Sequence, residues 1–453
     1  MKNHSDTIAA IATPPGVGGV GIVRVSGSQL TALIKDVAVA DLKPRIATVC
    51  LFRDFDGSAI DQGLAIYFPG PHSFTGEDVL ELHGHGGPVV LDRLLNRIIQ
   101  SGARLAEPGE FTERAFLNGK IDLTQAEAIA DLIAARSEQA TRGAMRVLNG
   151  ELSGRIEPIS SGLVHMRVQI EASIDFPDEE IEVHTIDALD RDLRQLSAQL
   201  ESLIDLTQEG VALAQGMRVA IVGRPNAGKS SLLNALTGED RAIVTATPGT
   251  TRDIVKEHIN IDGLPVQLLD TAGLRDTRDP VEREGVKRAR LQIEEADSVF
   301  WVVDSTAQNL DDALEDARRY LPDLERVTLV FNKVDLLANR REIQQSRVEA
   351  HSVIYISAKT GAGLSTLKAH LLKIAGISGA FDGRIVARRR HVVALQQALD
   401  YLVLAKARLP NSEEWELVAE DLRQAQGVLG TITGVVTTDD LLGEIFSSFC
   451  IGK

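Results

Sequence analysis

The run Gly223-Arg224-Pro225-Asn226-Ala227-Gly228-Lys229-Ser230 constrains this 453-residue chain more than any other segment. An apolar stretch, Val219 to Val222, leads into it, and Ser231-Leu232-Leu233-Asn234-Ala235-Leu236 leads out. The glycines therefore stand where a strand turns into a helix. In that context backbone N–H groups close around phosphate oxygens, the Lys229 ammonium neutralises the β and γ phosphates, and the Ser230 hydroxyl ligates Mg²⁺. Such a loop needs a parallel α/β sheet to carry it.

Strand, loop and helix do alternate between residues 216 and 376, with apolar runs at Val219 to Val222, Val299 to Val303, Val327 to Phe331 and Val353 to Ile356. Other motifs stand where these and neighbouring strands end. Asp270-Thr271-Ala272-Gly273 follows Val266 to Leu269, which places Asp270 near the metal and the Gly273 N–H near the γ-phosphate. Asn332-Lys333-Val334-Asp335 ends the strand Val327 to Phe331. The Asp335 carboxylate can accept the N1 and N2 hydrogens of guanine, which adenine does not supply, and a carboxylate left unpaired by the wrong base discriminates by ~10⁴ or more. Ser357-Ala358-Lys359 completes the base pocket. The polar loop Thr245-Ala246-Thr247-Pro248-Gly249-Thr250-Thr251 lies in the position of a first switch, where Thr251 completes the Mg²⁺ shell. GTP or GDP is thus the expected nucleotide. Leu274 follows Gly273, where many signalling GTPases carry a water-orienting glutamine, and no arginine finger can be assigned. Transition-state charge worth ~10³ to 10⁵ in rate needs another cation or a partner group.

The remainder of the chain has two textures. Residues 1–118 combine short apolar strands with Gly/Pro turns, as in Gly21 to Val25 and Leu64 to Phe68, and read as an α+β domain. Residues 119–215 and 377–453 are helical: Leu189, Leu193, Leu196, Leu200, Leu203 and Leu206 draw one apolar stripe, and Val392, Leu395, Leu399 and Leu402 another. The α/β domain, 216–376, is expected as an insertion between two halves of a helical domain.

Composition narrows the remaining possibilities. Cys50 and Cys450 are the two cysteines, too few for a disulfide framework or a zinc cluster. A net charge of −16 opposes broad adhesion to nucleic acid, although Arg388-Arg389-Arg390-His391 could meet phosphate locally. No apolar run reaches a membrane span, and the first residues lack the regions of a secretory signal, so a cytoplasmic protein with no membrane association is expected. Gly16-Val17-Gly18-Gly19-Val20-Gly21 matches G-x-G-x-x-G, but prolines precede it and a strand follows, which rejects a dinucleotide fingerprint. His83-Gly84-His85 shares a strand face without an evident third ligand, so a pocket or structural role comes before metal binding. The acids of Asp175 to Glu180 read as solvated. Cys450 stands where a prenylation box would place it, but Gly452 is not aliphatic and Lys453 is a poor final residue, which leaves a small buried residue or a reactive thiol.

Taken together, Gly-Arg-Pro-Asn-Ala-Gly-Lys-Ser, the Pro-Gly-Thr-Thr-Arg-Asp run ending at Asp253, Asp-Thr-Ala-Gly-Leu and the final Phe449-Cys450-Ile451-Gly452-Lys453 resemble the MnmE (TrmE) tRNA-modification GTPases along the entire chain. The resemblance implies an α+β N-terminal domain for dimerisation and a tetrahydrofolate derivative (5,10-methylene or 5-formyl), a helical domain and an inserted α/β P-loop GTPase domain. It implies GTP contacts from Asn226, Ala227, Gly228, Lys229, Ser230 and Ser231 onward through the motifs above. K⁺ would be held by Asn226, Thr245, Thr247 and Thr250 once two nucleotide domains face each other. Glu282 matches the family residue that positions water, although by its residue type alone it would be a solvated acid. Arg24, Glu81, Lys120 and Lys453 are similar to the folate-contacting set, and Cys450 to a thiol of the modification centre. The implied assembly is a homodimer working with an MnmG (GidA)-like protein, which brings FAD and NADH, to place a carboxymethylaminomethyl or aminomethyl group on C5 of tRNA wobble uridines. A ribosome-assembly GTPase and a GTP-regulated folate-dependent one-carbon transferase are the competing readings.

Overall fold

The computed structural model describes residues 6–38, 41–135, 137–175, 186–239, 256–270, 293–321, 324–337, 345–348, 351–377 and 385–452. The chain forms two compact units, one of Met1–Ala130, Leu148–Pro177 and Trp415–Lys453, the other of Asp131–Val147 and Asp178–Glu414.

The first unit is built on strands β1 (Ile8–Ile11), β2 (Gly18–Gly27), β3 (Thr48–Arg53), β4 (Ala59–Phe68), β5 (Asp78–Gly86) and β6 (Arg104–Leu105), in the order β3-β4-β5-β2-β1-β6. Alternation sorts their side chains: Val23, Val25, Leu80 and Leu82 are buried, while Arg24 and Glu81 point to the opposite face and lie directly across from each other. Helices α1 (Thr31–Val37) and α2 (Pro88–Gln100) close the apolar face with Leu33, Ile34, Val37, Leu91, Leu94 and Ile98. Pro88 sits in the first turn of α2, where its missing N–H removes no helical bond. The glycine run that resembles a dinucleotide fingerprint enters β2, antiparallel to β1. Strand is therefore followed by strand, not by the helix a pyrophosphate site requires.

Helices α3 (Glu110–Leu117), α4 (Leu123–Ala134), α5 (Glu138–Leu148) and α6 (Glu151–Asp175) follow. In the second unit, α7 (Ile186–Gln215) buries Leu189, Leu193, Leu196, Leu200 and Leu203 as expected, but Leu206 is only half-buried while Ile204 and Thr207 are buried. Alternating steps of three and four average 3.5 residues, so against a 3.6-residue turn the line rotates by about 20° per heptad.

The second unit's sheet contains β7 (Met217–Gly223), β8 (Lys256–Ile261), β9 (Leu264–Asp270), β10 (Ser298–Asp304), β11 (Val327–Asn332), β12 (Gln345–Val348) and β13 (His351–Tyr355), ordered β12-β13-β11-β10-β7-β9-β8. β7, β9, β10, β11 and β13 are parallel, and β8 and β12 are antiparallel edges. Helices α8 (Lys229–Glu239), α9 (Leu310–Tyr320) and α10 (Leu364–Ile374) are interspersed, and buried apolar clusters cover both sheet faces. That two-sided burial explains why these strands read as unbroken apolar runs. The chain leaves β7 and later returns on both its sides, to β9 and to β10, which puts the carboxyl end of β7 at a topological switch point.

Helix α11 (Arg389–Arg408) packs on α7 and buries His391, Ala394, Leu395, Ala398, Leu402 and Ala405, whereas Val392 and Leu399 are half-buried. The small alanines were not part of the expected stripe, yet Ala394, Ala398 and Ala405 are buried. Returning to the first unit, α12 (Trp415–Thr433) packs along α6, and α13 (Asp439–Ser447) joins α3 and α4 through Phe116, Leu123, Ala126, Ile445, Phe446 and Phe449. Thus α6 pairs with α12 in the first compact unit, and α7 with α11 in the second.

Candidate functional site

At the end of β7 the chain turns through Gly223 at φ 152° and Gly228 at φ 96°, both left-handed. A Cβ on Gly223 would run into the Val302 carbonyl, and one on Gly228 into the Asn332 side chain. No other residue type fits at either place. Between them Asn226 adopts φ 63°, a conformation uncommon outside glycine and tolerated best by asparagine and aspartate. The loop then becomes α8, whose first residue is Lys229. Its opening N–H groups have no intrahelical acceptor and carry the positive end of the helix dipole, which suits an anion. The Lys229 ammonium donates to the Gly223 and Arg224 carbonyls at 2.9 and 3.0 Å, curling across the loop. Ser230 and Ser231 are exposed at the head of the helix, leaving the Ser230 hydroxyl accessible to a cation.

The base side is assembled from the turns that follow two strands, β11 and β13. Asn332 donates to the Ala227 carbonyl at 3.1 Å and accepts from the Lys333 and Ala358 N–H groups at 2.8 and 3.0 Å. One amide thus ties the phosphate loop to the turns after β11 and β13. Ser357, fully buried, donates to Asp335 Oδ1 at 2.6 Å and so orients a carboxylate whose residue is itself exposed. Lys359 is exposed on the next turn. Asp270 ends β9 beside Ile221 of β7, one strand from the loop. The expected contacts at Thr245, Ala246, Thr247, Pro248, Gly249, Thr250, Thr251, Thr271, Ala272, Gly273 and Glu282 lie outside the described residues.

Sequence reasoning missed two acids beside this loop. Asp304, at the end of β10, accepts from the Lys333 ammonium at 2.6 Å, and Asp316 of α9 accepts from Arg224 Nε at 2.5 Å. Burial raises both carboxyls, but the bonds from Lys333 and Thr306 hold Asp304, and those from Arg224 and Gln308 hold Asp316, below the usual carboxylate range. Asp304 was readable in principle, since it terminates an apolar strand as Asp270 does.

A second constellation lies in the first unit. Arg24 Nε donates to Glu81 Oε1 at 3.0 Å, and His83 Nε2 lies 3.2 Å from Oε2. The Arg24 guanidinium is 5.7 Å from the Phe74 ring centre and donates to the Gly452 carbonyl at 3.4 Å. The Gly109 N–H donates to the Cys450 carbonyl, and Cys450 is exposed. A buried packing role for Cys450 therefore does not hold. Lys120 donates to the Pro71 carbonyl at 3.0 Å, while Lys453 lies outside the described residues. His85 pairs with Asp61 at 2.8 Å, so the two histidines of His83-Gly84-His85 face different carboxylates. Beneath this surface runs an ion cluster absent from the sequence reading. Arg114, 1% exposed, meets Asp6, Glu77 and Glu110 at 2.9, 3.0 and 2.9 Å. In the second unit Arg388 pairs with Asp131 at 2.9 Å, and its N–H donates to buried His391. That basic run is partly used in capping α11.

Comparison with known proteins supplies what geometry alone does not. A family model described as the MnmE helical domain matches residues 123–450, and one described as the GTP-binding protein TrmE N-terminus matches 7–120. The tRNA modification GTPase MnmE of Erwinia tasmaniensis is 52% identical over 455 residues, covering 100% of both chains. Among solved structures, Era from Aquifex aeolicus is 29% identical over 42% of this chain and 67% of its own, with a TM-score of 0.30. The G domain of the FeoB iron transporter from T. maritima is 28% identical over 35% and 98%, with a TM-score of 0.28.

Proposed function

We propose, because this chain belongs to the MnmE family of tRNA modification GTPases, that its hydrolysis of GTP serves the placement of a carboxymethylaminomethyl or aminomethyl group on C5 of tRNA wobble uridines. The observation that carries the reading is the end-to-end match to an MnmE of the same extent. A homodimer acting in the cytoplasm with an MnmG (GidA)-like protein, which brings FAD and NADH, completes the proposal. Among the described residues no helix is long and apolar enough to cross a membrane.

In the nucleotide site, Gly223 to Gly228 leave room for phosphate, Lys229 neutralises it, Asp335 reads guanine, and Ser230 with Thr251 would hold Mg²⁺, which supplies charge stabilisation of the transferring phosphoryl group. Supporting this role, Ser230 is exposed at the start of α8 and Lys229 already spans the loop. Asn226, with Thr245, Thr247 and Thr250, would hold K⁺ in place of an arginine finger, and Glu282 would position the attacking water. In the first unit, Glu81 would take the amino-amide edge of a folate pterin, Arg24, Lys120 and Lys453 its acidic tail, and Cys450 would act in the modification centre. Carboxylate, guanidinium and the Phe74 ring are gathered at one place, with the carbonyl of Gly452 against Arg24. This donor set fits a flat heterocycle with an anionic tail.

Mass spectrometry of tRNA from a deletion strain tests the reading: wobble uridines lose the C5 group, and the wild-type gene restores it. Unchanged uridines would sink it in favour of a ribosome-assembly GTPase or a folate-dependent one-carbon transferase. Cys450→Ser is expected to abolish restoration while GTP turnover persists, and replacing K⁺ by Na⁺ to slow that turnover.

A further inference from the structure

The phosphate loop is gripped by a segment that carries none of the nucleotide motifs. From the end of β10, Asp304 Oδ2 accepts from the Lys333 ammonium at 2.6 Å, and the same ammonium donates to the Asn226 carbonyl at 2.6 Å. Asp304 Oδ1 accepts from the Thr306 N–H and hydroxyl at 3.0 and 2.7 Å, which fixes the carboxylate's own orientation. Both residues joined by the bridge are left-handed without being glycine, Asn226 at φ 63° and Lys333 at φ 67°. Such conformations persist when their surroundings over-determine them. Twelve residues after Asp304, Asp316 takes Arg224 on the other side of Pro225, and Gln308 steadies Asp316 at 2.8 Å. Asn309 caps α9 through the Asp312 N–H, so the stretch bearing both acids is itself tied down.

We propose that Asp304 is a positioning residue of the GTP site: its carboxylate holds the Lys333 ammonium on the Asn226 carbonyl and thereby keeps the base-recognising turn in register with the phosphate loop. A lysine stem is flexible and its ammonium strongly hydrated, so a neutral carbonyl alone leaves it free to swing into water. A carboxylate on the far side makes both bonds part of one charge-assisted bridge, stronger than neutral pairs. At 21% and 30% side-chain exposure the two groups are largely withdrawn from solvent. The bridge runs parallel to the Asn332–Ala227 bond, so the two halves of the nucleotide site are joined twice.

The test is the dissociation of a fluorescent GDP analogue from the full chain. Asp304→Asn keeps an acceptor for Thr306 and removes the charge facing Lys333, so release should accelerate by about tenfold. Asp304→Glu retains the charge and should stay within about threefold of wild type. In a Lys333→Ala background, Asp304→Asn should bring no further acceleration, because the carboxylate acts through that ammonium. Wild-type release from Asp304→Asn, a Glu variant as fast as the Asn one, or an undiminished effect in the Lys333→Ala background would each overturn the proposal. The melting midpoint of the nucleotide-free protein should hold within about 2 °C. An equal larger fall in the Asn and Glu variants would assign Asp304 to the fold instead.

Discussion

Around Gly223 and Gly228, backbone shape does the holding: left-handed turns, close approaches that exclude a Cβ, and side chains bonded mainly to main-chain carbonyls. Around Arg24 the holding is done by charge, with Glu81 on one side and the Arg114 cluster of Asp6, Glu77, Glu110 and Arg104 beneath. In the first arrangement the Lys229 ammonium rests on neutral carbonyls at the head of a helix, a setting that suits an anion. The second has already satisfied most of its charges internally.

The largest expected effect is on guanine recognition. Asp335→Asn should remove on the order of 10⁴ of the discrimination for GTP over its analogues, and competition binding of GTP against XTP would show it. An unchanged preference would separate base choice from the turn that Ser357 braces. Next, Lys229→Ala should lower kcat/KM for GTP by roughly 10²–10³, the usual cost of one donor to developing charge, with the folate binding proposed for the first unit unaltered. The comparison is broken if folate affinity falls in parallel. Arg114→Met leaves buried Glu110 without one of its cations, which should cost about 3–5 kcal/mol in denaturant unfolding of the first unit. GTP turnover per folded molecule should hold.

The smallest effect is on the pH dependence of that unfolding. Burial raises the Glu110 carboxyl, but bonds from Arg104, the Glu107 N–H and Arg114 outweigh it and hold the group below its ordinary value of 4.5. A carboxyl held low in the folded state contributes stability that is present above the unfolded pKa and lost as pH falls through the folded one. Wild-type stability should therefore decline as the pH drops below 4.5, and Glu110→Gln should flatten that part of the profile. Equal slopes would show that the cluster does not titrate through Glu110.

How much of this was legible in the sequence follows from the same contrast. Phosphate chemistry needs consecutive residues on one turn, so Gly223 to Ser230 announced its strand, its helix and its ligand class together. Arg24, Glu81 and Gly452 meet across separations of 57 and 428 residues, and no spacing rule connects them. Arg24 and Glu81 were found through a family resemblance alone, and the contact with Gly452 was not foreseen. The Arg114 cluster was invisible for the same reason, since its partners lie 37 and 108 residues away as well as one helical turn back. Helical stripes were readable where leucines carry them, as on α7, and misjudged on α11, where alanines are among the buried residues.

The first compact unit draws on three separated stretches of chain, the last of them beginning at Trp415. Its sheet strands leave the ribosome early, but α12 cannot cover α6, nor Phe446 and Phe449 reach Leu123, until the whole second unit has been made. At about 5–20 residues per second, that interval is on the order of tens of seconds. During synthesis the later-made nucleotide unit can therefore complete itself first, and the part of the molecule that begins the chain is the last to finish folding.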